Sequence, residues 1–123
     1  METNDAPETK PTVRGAGPSP GAGPSPVTDA RKFTETIQRT DTVLADFYAS
    51  WCGPCAMMKP VIDEIAEESA VPVHKIDVDA HPDLAAEFGV RAVPTYIVFR
   101  DGVPDERLVG QQPKEVLQAA LGS

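Results

Sequence analysis

The stretch Trp51-Cys52-Gly53-Pro54-Cys55 decides how the rest of this chain is interpreted. It contains both cysteines and the only tryptophan of the 123 residues. An apolar run over 43–48 precedes it and indicates a buried strand, while residues 56–69 follow it with apolar side chains at helical spacing. A strand that turns into a helix at a Cys-x-x-Cys pair is typical of a redox site when it stands in a βαβ pattern.

Composition and charge narrow the class of protein. A length of 123 residues, with 41% hydrophobic and 24% charged content, is ordinary for one globular domain with its own core. The net charge of −8 argues against nucleic acid as a partner, because phosphate contacts need an excess of Lys and Arg. No apolar run approaches the ~20 residues of a membrane span, so we expect no membrane partner.

The N-terminus bears on the compartment. Residues Met1 to Ala6 have neither a positive start nor an apolar h-region, which predicts that there is no signal peptide. We therefore expect a cytoplasmic protein. In a reducing cytosol, two cysteines are more often catalytic or metal-binding than a structural bridge.

Residues 1–26 are predicted to form a disordered Pro/Gly-rich N-terminal tail. They contain six prolines and four glycines, and the segment 15–20 is repeated at once over 21–26. Such a segment buries too little apolar surface to offset the entropy lost on ordering. The folded domain is accordingly expected to occupy residues 27–123.

The remaining chain is predicted to be an α/β domain. In order, the patterns indicate a helix capped by Thr28 or Asp29 and running to about Arg39, a strand at 43–48, a helix at 56–69, a strand at 71–78, a short helix from Pro82 to Gly89, a strand at 95–99, an Asp101-Gly102 hairpin turn into a strand at 106–109, and a helix from Pro113 to Leu121. One βαβ unit followed by a hairpin predicts a central mixed β-sheet of four to five strands, flanked by helices on both faces.

The spacing of the two cysteines assigns them different roles. Residues three apart lie on one side of a helical turn, so Cys52 and Cys55 can close a small ring. At the start of a helix, free N–H groups and the helix dipole favour a thiolate at Cys52, whereas Cys55 should be more buried and protonated. We therefore expect Cys52 to attack and Cys55 to resolve the mixed disulfide. Gly53-Pro54 between them favours a reductant, because an imidazole there would favour an oxidant.

Asp46 is the candidate base for Cys55. It lies in an otherwise apolar run, so it should be largely buried, and burial raises a carboxylate pKa toward neutrality. Lys75 can face it from the neighbouring strand. The alternatives are that Asp46 is held by structural hydrogen bonds and that Lys75 reaches out to solvent.

These residues resemble the thioredoxin family. The resemblance is carried by the stretch 51–55, Asp46-Phe47, Pro60, Val93-Pro94-Thr95 and Val109-Gly110, and it covers residues 27–121. Trp-Cys-Gly-Pro-Cys is highly specific to that family, whereas a bare Cys-x-x-Cys is not. The resemblance implies a thioredoxin fold and a monomeric protein-disulfide reductase. Its partners would be disulfide-containing target proteins and a thioredoxin reductase, and no bound organic cofactor is implied.

The resemblance also implies further site residues. Pro94 would be a cis proline beside the cysteines, and the backbone of Val93 would offer strand-like hydrogen bonds to a substrate segment. The apolar contact surface around Cys52 would be lined by Trp51, Gly53, Ala92 and Gly110. The family's first strand falls near residues 23–27, where the Pro-rich sequence predicts a short or missing strand.

Three other functions compete with this one. A zinc site would need Cys52, Cys55, His74 and His81, but the spacing of the two histidines is unusual, and both are more simply surface residues. A non-catalytic binding module would use the fold as a docking surface. A thiol oxidant or isomerase would need a much less reducing potential.

Overall fold

The computed structural model describes residues 23–122, so most of the predicted tail lies outside the described residues. Within this range, the strands are β1 (Ser25–Pro26), β2 (Thr42–Tyr48), β3 (Val73–Asp77), β4 (Thr95–Arg100) and β5 (Val103–Val109), and the helices are α1 (Ala30–Arg39), α2 (Gly53–Glu68), α3 (Pro82–Glu87) and α4 (Lys114–Gly122). The order of helices and strands predicted after residue 27 is confirmed.

The strands form one mixed sheet in the order β1-β3-β2-β4-β5. β3 runs parallel to both β1 and β2, whereas β4 runs antiparallel to β2 and to β5. The edge strand β1 has two residues, which confirms the expectation of a short first strand. It lies immediately before Val27, so the sheet begins slightly ahead of the predicted start of the domain.

Two apolar clusters cover the two faces of the sheet, as the mixed α/β class requires. On one face, the buried side chains of α2 and α4, such as Ile62 and Leu117, pack on Leu44 and Val98. On the opposite face, Phe33 and Ile37 of α1 and Leu84 of α3 pack on the apolar side chains of the strands, which are Val43, Ala45, Phe47, Ile76, Ile97 and Phe99. Phe33 and Leu84 are each at most 3% exposed. The sheet is therefore buried on both sides.

Local chemistry explains where several elements begin and end. Asp29 is the N-cap of α1, where its side chain accepts a hydrogen bond of 3.1 Å from the N–H of Lys32. The turn between β4 and β5 has positive φ at both Asp101 and Gly102, which is the geometry of a two-residue hairpin. β5 begins at Val103 rather than at residue 106. It tolerates Pro104 because an edge strand has unpaired positions where no N–H is needed.

His74 is placed differently from the prediction. We expected it at the surface, but it is 6% exposed on the α1 face of the sheet, with its ring 5.8 Å from that of Phe33. Helix α1 covers this face of the sheet, so a residue of β3 that points toward α1 is enclosed whatever its polarity. Burial lowers the pKa of His74 to about 4. The expectation of a surface histidine is wrong at this position.

Candidate active site

The cysteine pair lies at the N-terminus of α2. Cys52 and Cys55 form a disulfide, and their Cα atoms are 5.3 Å apart. Cys52 is the N-cap residue, and its Sγ accepts a hydrogen bond of 3.1 Å from the N–H of Cys55. Pro54 stands in the first turn of the helix, where a missing N–H costs nothing. The sequence predicted this placement of both sulfurs.

The exposure of the two cysteines is the reverse of what we predicted. Cys52 is 6% exposed, whereas Cys55 is half-buried. Cys52 is enclosed because its N–H bonds to the carbonyl of Ala49 and its Sγ lies 3.7 Å from the carbonyl oxygen of Val93. In the bridged state, the expectation that Cys55 is the more buried residue is wrong. The distinction between the sulfurs therefore rests on the N-cap position of Cys52 and not on its exposure.

The loop before β4 supplies the wall that faces Cys52. The peptide bond between Val93 and Pro94 is cis, as the family resemblance implied. The carbonyl of Pro94 accepts a 2.8 Å hydrogen bond from the N–H of Gly110, and the hydroxyl of Thr95 donates to the carbonyl of Ala92 at 2.7 Å. These bonds bring Ala92, Val93 and Gly110 together beside the disulfide.

Trp51 forms the outer rim of the site and is 71% exposed. Its Nε1–H donates a hydrogen bond of 2.8 Å to Oδ2 of Asp79. A groove of about 350 Å³ runs between Trp51 and the loop before β4, with Val90, Arg91 and Pro82 among its lining residues. Sequence reasoning did not find Asp79, because no local pattern connects a loop carboxylate with an indole 28 residues away.

Asp46 lies on β2, on the face covered by α2, and is 4% exposed. Burial raises its pKa to about 6, and the ammonium of Lys75 opposes that rise. Nζ of Lys75 is 3.9 Å from Oδ2 of Asp46 and 4.7 Å from the centre of the Tyr48 ring. The predicted burial of Asp46 and its pairing with Lys75 are confirmed, so Lys75 does not simply extend into solvent.

Residues 23–122 contain neither a cluster of metal-ligating side chains nor a helix that could span a membrane. Over this range, no three His, Cys, Asp or Glu side chains come together in a way that could hold an ion. None of the helices in the same range has the length and apolarity needed to cross a bilayer.

A bridged Cys-x-x-Cys pair at a strand–helix junction, facing a cis proline on a mixed sheet with helices on both faces, defines the class of thiol-disulfide oxidoreductases. The thioredoxin family model matches residues 25–123. The chain belongs to the thioredoxin family.

Individual relatives and solved structures agree with this assignment. A thioredoxin from Alicyclobacillus acidocaldarius is 48% identical over 91 residues, which cover 72% of this chain and 87% of that protein. A Mycobacterium tuberculosis thioredoxin is 47% identical over 90 residues, with 72% and 78% covered. A mutant thioredoxin from Halobacterium salinarum superposes with a TM-score of 0.79 at 42% identity, covering 85% of this chain and 91% of that one.

An oxidised form of a related protein has also been solved. Mitochondrial thioredoxin 3 of Saccharomyces cerevisiae superposes with a TM-score of 0.73 at 34% identity, covering 80% of this chain and 92% of that one. Family and site together make the chain a protein-disulfide reductase that acts by dithiol–disulfide exchange through Cys52 and Cys55.

Proposed function

We propose that Cys52 is the attacking thiolate, that Cys55 resolves the mixed disulfide, and that Asp46 takes the proton of Cys55. The observation that carries this assignment is the N-cap position of Cys52, whose sulfur accepts the N–H of Cys55. In the reduced protein, the same N–H and the positive end of α2 would stabilise a thiolate at Cys52. Cys55 lies within the first turn of the helix and does not occupy the N-cap position.

The reaction is a two-electron exchange. The Cys52 thiolate attacks one sulfur of a target disulfide, so that a mixed disulfide forms and the other target sulfur leaves as a thiolate. Asp46 then accepts the proton of Cys55, and the Cys55 sulfur attacks Sγ of Cys52. The bond to the target breaks, the target leaves with both sulfurs reduced, and the Cys52–Cys55 disulfide remains.

Asp46 suits the second step because of where it is buried. A carboxyl whose pKa is about 6 is ionised at neutral pH, yet it still accepts a proton more readily than an exposed aspartate. The nearby ammonium of Lys75 keeps a charged carboxylate tolerable in this setting. We assign Lys75 as a residue that acts through Asp46.

Target binding is assigned to the surface around Cys52. The exposed face of Trp51 together with Ala92 and Gly110 would contact an apolar segment, while the backbone of Val93 would pair with it as a short strand. Apart from its chain neighbours and the backbone of its own helix, Gly53 has no atom within 4 Å of the position a Cβ would occupy, which leaves room for a target beside the disulfide. Pro94 holds this wall against the cysteines, and Pro54 restrains the ring between them.

The wider setting belongs to the same proposal. We assign a monomer in the cytoplasm that is recycled by a thioredoxin reductase, which returns two electrons to the disulfide. One structural neighbour concerns the thiol resolving mechanism of a yeast mitochondrial 1-Cys peroxiredoxin via glutathione and thioredoxin systems. Peroxidases of that kind are therefore one class of target to assay. A coupled NADPH assay tests recycling: slower reduction of the full chain by a thioredoxin reductase than by glutathione would contradict it.

Insulin reduction by the full chain tests the assignment of the cysteines. Cys52→Ser should abolish turnover, because no thiolate remains to attack. Cys55→Ser should instead accumulate a mixed disulfide between Cys52 and the target. Insulin reduction that survives Cys52→Ser would show that the fold serves as a binding module and not as a reductase.

Stopped-flow kinetics test the base. Asp46→Ala should slow resolution of the mixed disulfide at least tenfold while changing its formation much less, because general bases typically contribute about 10²–10⁴-fold. Asp63→Ala is the matched control, since Asp63 is an exposed carboxylate on α2 that pairs with Lys59. Equal slowing of both steps in Asp46→Ala would remove Asp46 from the role of base.

A further inference from the structure

Three side chains form a row across the middle of the sheet. The register places Asp46 of β2 opposite Lys75 of β3 on one side and opposite Tyr96 of β4 on the other. Residues directly opposite each other on neighbouring antiparallel strands have Cβ atoms about 4.5–5.5 Å apart. All three point toward α2 and α4, because Tyr96 packs in the same cluster as Leu44, which is two residues before Asp46. Tyr96 therefore faces Asp46 from the side that Lys75 does not occupy.

Two buried oxygens in this row have no hydrogen-bond partner among the described protein atoms. They are Oδ1 of Asp46 and the hydroxyl of Tyr96. Asp46 is 4% exposed and Tyr96 is 1% exposed, so bulk water does not satisfy either group. Buried polar atoms in native proteins are almost always hydrogen-bonded, and ordered water commonly joins two such groups. The tyrosine hydroxyl is a donor and the carboxylate oxygen an acceptor, so one water between them would satisfy both.

We propose that Tyr96 is a positioning residue for Asp46, and that its hydroxyl donates a hydrogen bond through one bridging water to Oδ1 of the ionised carboxylate. The charged form of Asp46 is then stabilised from both sides, by Lys75 on Oδ2 and by Tyr96 on Oδ1. The proposal deepens the mechanism given above and rests on it for its catalytic meaning. In this role Tyr96 acts only through Asp46.

The surroundings leave Tyr96 free to act as a donor. Burial raises the pKa of Tyr96, and the carboxylate of Asp46 raises it further, so its proton stays in place throughout the working pH range. Tyr48 faces the same region from β2, with the ammonium of Lys75 over its ring.

Other charges on the covering helices are directed elsewhere. Lys59 of α2 pairs with Asp63, and Lys114 of α4 pairs with Glu64 and Glu68. Each of these bridges joins side chains that are partly or well exposed. Besides Lys75, the titratable groups that face Asp46 are thus Tyr48 and Tyr96.

Carbon-13 NMR of the Asp46 carboxyl in the oxidised full chain tests this coupling. Tyr96→Phe removes only the hydroxyl and keeps the buried ring, so the pKa of Asp46 should rise by about one unit. Tyr48→Phe is the matched control: it removes a hydroxyl from a half-buried ring nearby and should leave the pKa of Asp46 unchanged. An unchanged pKa in Tyr96→Phe, or equal shifts in both variants, would overturn the proposal.

A second measurement needs no substitution. In the wild-type protein, the Cζ signal of Tyr96 should move with the midpoint at which Asp46 titrates, and a Cζ signal that stays flat through that midpoint would also overturn the coupling. Neither measurement depends on turnover, because no reductant is added and the oxidised protein stays bridged. A shifted pKa in Tyr96→Phe together with unaltered resolution in Asp46→Ala would therefore support the coupling and remove only the base role.

Discussion

At the scale of single residues, two opposed effects determine the pKa of Asp46. Burial makes its ionised form costly, while the ammonium of Lys75 at 3.9 Å makes that form cheaper. The balance leaves a pKa of about 6, so burial outweighs the attraction of the lysine. The proposed role of Asp46 as a base near neutrality needs this outcome, because a fully compensated carboxylate would hold a proton too weakly.

Removing the lysine should therefore shift Asp46 further. Lys75→Met keeps the length and apolar stem of the side chain but loses its charge, so the pKa of Asp46 should rise by about one unit or more. Carbon-13 NMR of the carboxyl measures the shift. Lys59→Met, which removes an exposed ammonium from α2, should leave Asp46 unchanged. Similar titration of Asp46 in wild type and Lys75→Met would mean that the ion pair is too weak to matter.

At the scale of elements, the turn between β4 and β5 is constrained by the end of α1. Gly102 has φ +85°, and a Cβ at this position would lie 3.3 Å from Cα of Gln38 and 3.6 Å from the carbonyl oxygen of Ile37. The neighbouring backbone belongs to a helix, so it cannot move aside easily. Glycine is needed here for two reasons: the left-handed backbone and the close approach of α1.

Gly102→Ala should accordingly lower the free energy of unfolding by about 2 kcal/mol, with about 1 kcal/mol from the backbone and the rest from the contact. Guanidinium unfolding measures the loss. Gly89→Ala is the control, because Gly89 also has positive φ, at +67°, but nothing within 4 Å of its Cβ position. If the two variants lose the same stability, the contact with Gln38 contributes nothing.

At the scale of the whole molecule, the fold and the redox pair could be predicted because their signals are local. The apolar period of 43–48, the Asp29 cap, the Asp101-Gly102 turn and the Cys-x-x-Cys spacing each act within a few residues. These signals specify the order of elements, and the order restricts the topology of the sheet. The disulfide and the burial of Asp46 follow directly.

What could not be predicted depends on contacts between distant segments. Tyr96 looks like any apolar strand residue until the register of β2 and β4 sets it opposite Asp46. His74 has polar chemistry but an enclosed position, because α1 covers its face of the sheet. Cys52 is more enclosed than Cys55 because the Val93 carbonyl comes from a loop 41 residues away. A short stretch of sequence specifies neither the register of two strands nor the contact of a distant loop.

Two buried titratable groups on opposite faces of the sheet should shape how stability depends on pH. Asp46 has a pKa of about 6 when folded, raised from its ordinary value of 3.8, so the unfolded chain binds fewer protons at this site between those values. The burial of Asp46 therefore lowers the free energy of unfolding progressively as pH rises through this window. His74 has a pKa of about 4 when folded, lowered from 6.5, so the unfolded chain binds more protons there. The burial of His74 therefore lowers the free energy of unfolding progressively as pH falls through nearly the same window.

The two variants should therefore differ from wild type in opposite ways. Asp46→Asn should gain about 3 kcal/mol of unfolding free energy at neutral pH and lose that gain near pH 4. For His74→Leu, the free energy of unfolding relative to wild type should instead rise by about 3 kcal/mol as pH falls from neutral to about 4. The reason is that wild type loses stability when its imidazole is protonated on unfolding, whereas the variant has no imidazole. Guanidinium unfolding of the oxidised protein at both pH values gives the differences. If a variant differs from wild type by the same unfolding free energy at both pH values, packing and not titration causes the difference. Only a group whose proton affinity differs between the folded and unfolded chains can make the unfolding free energy depend on pH.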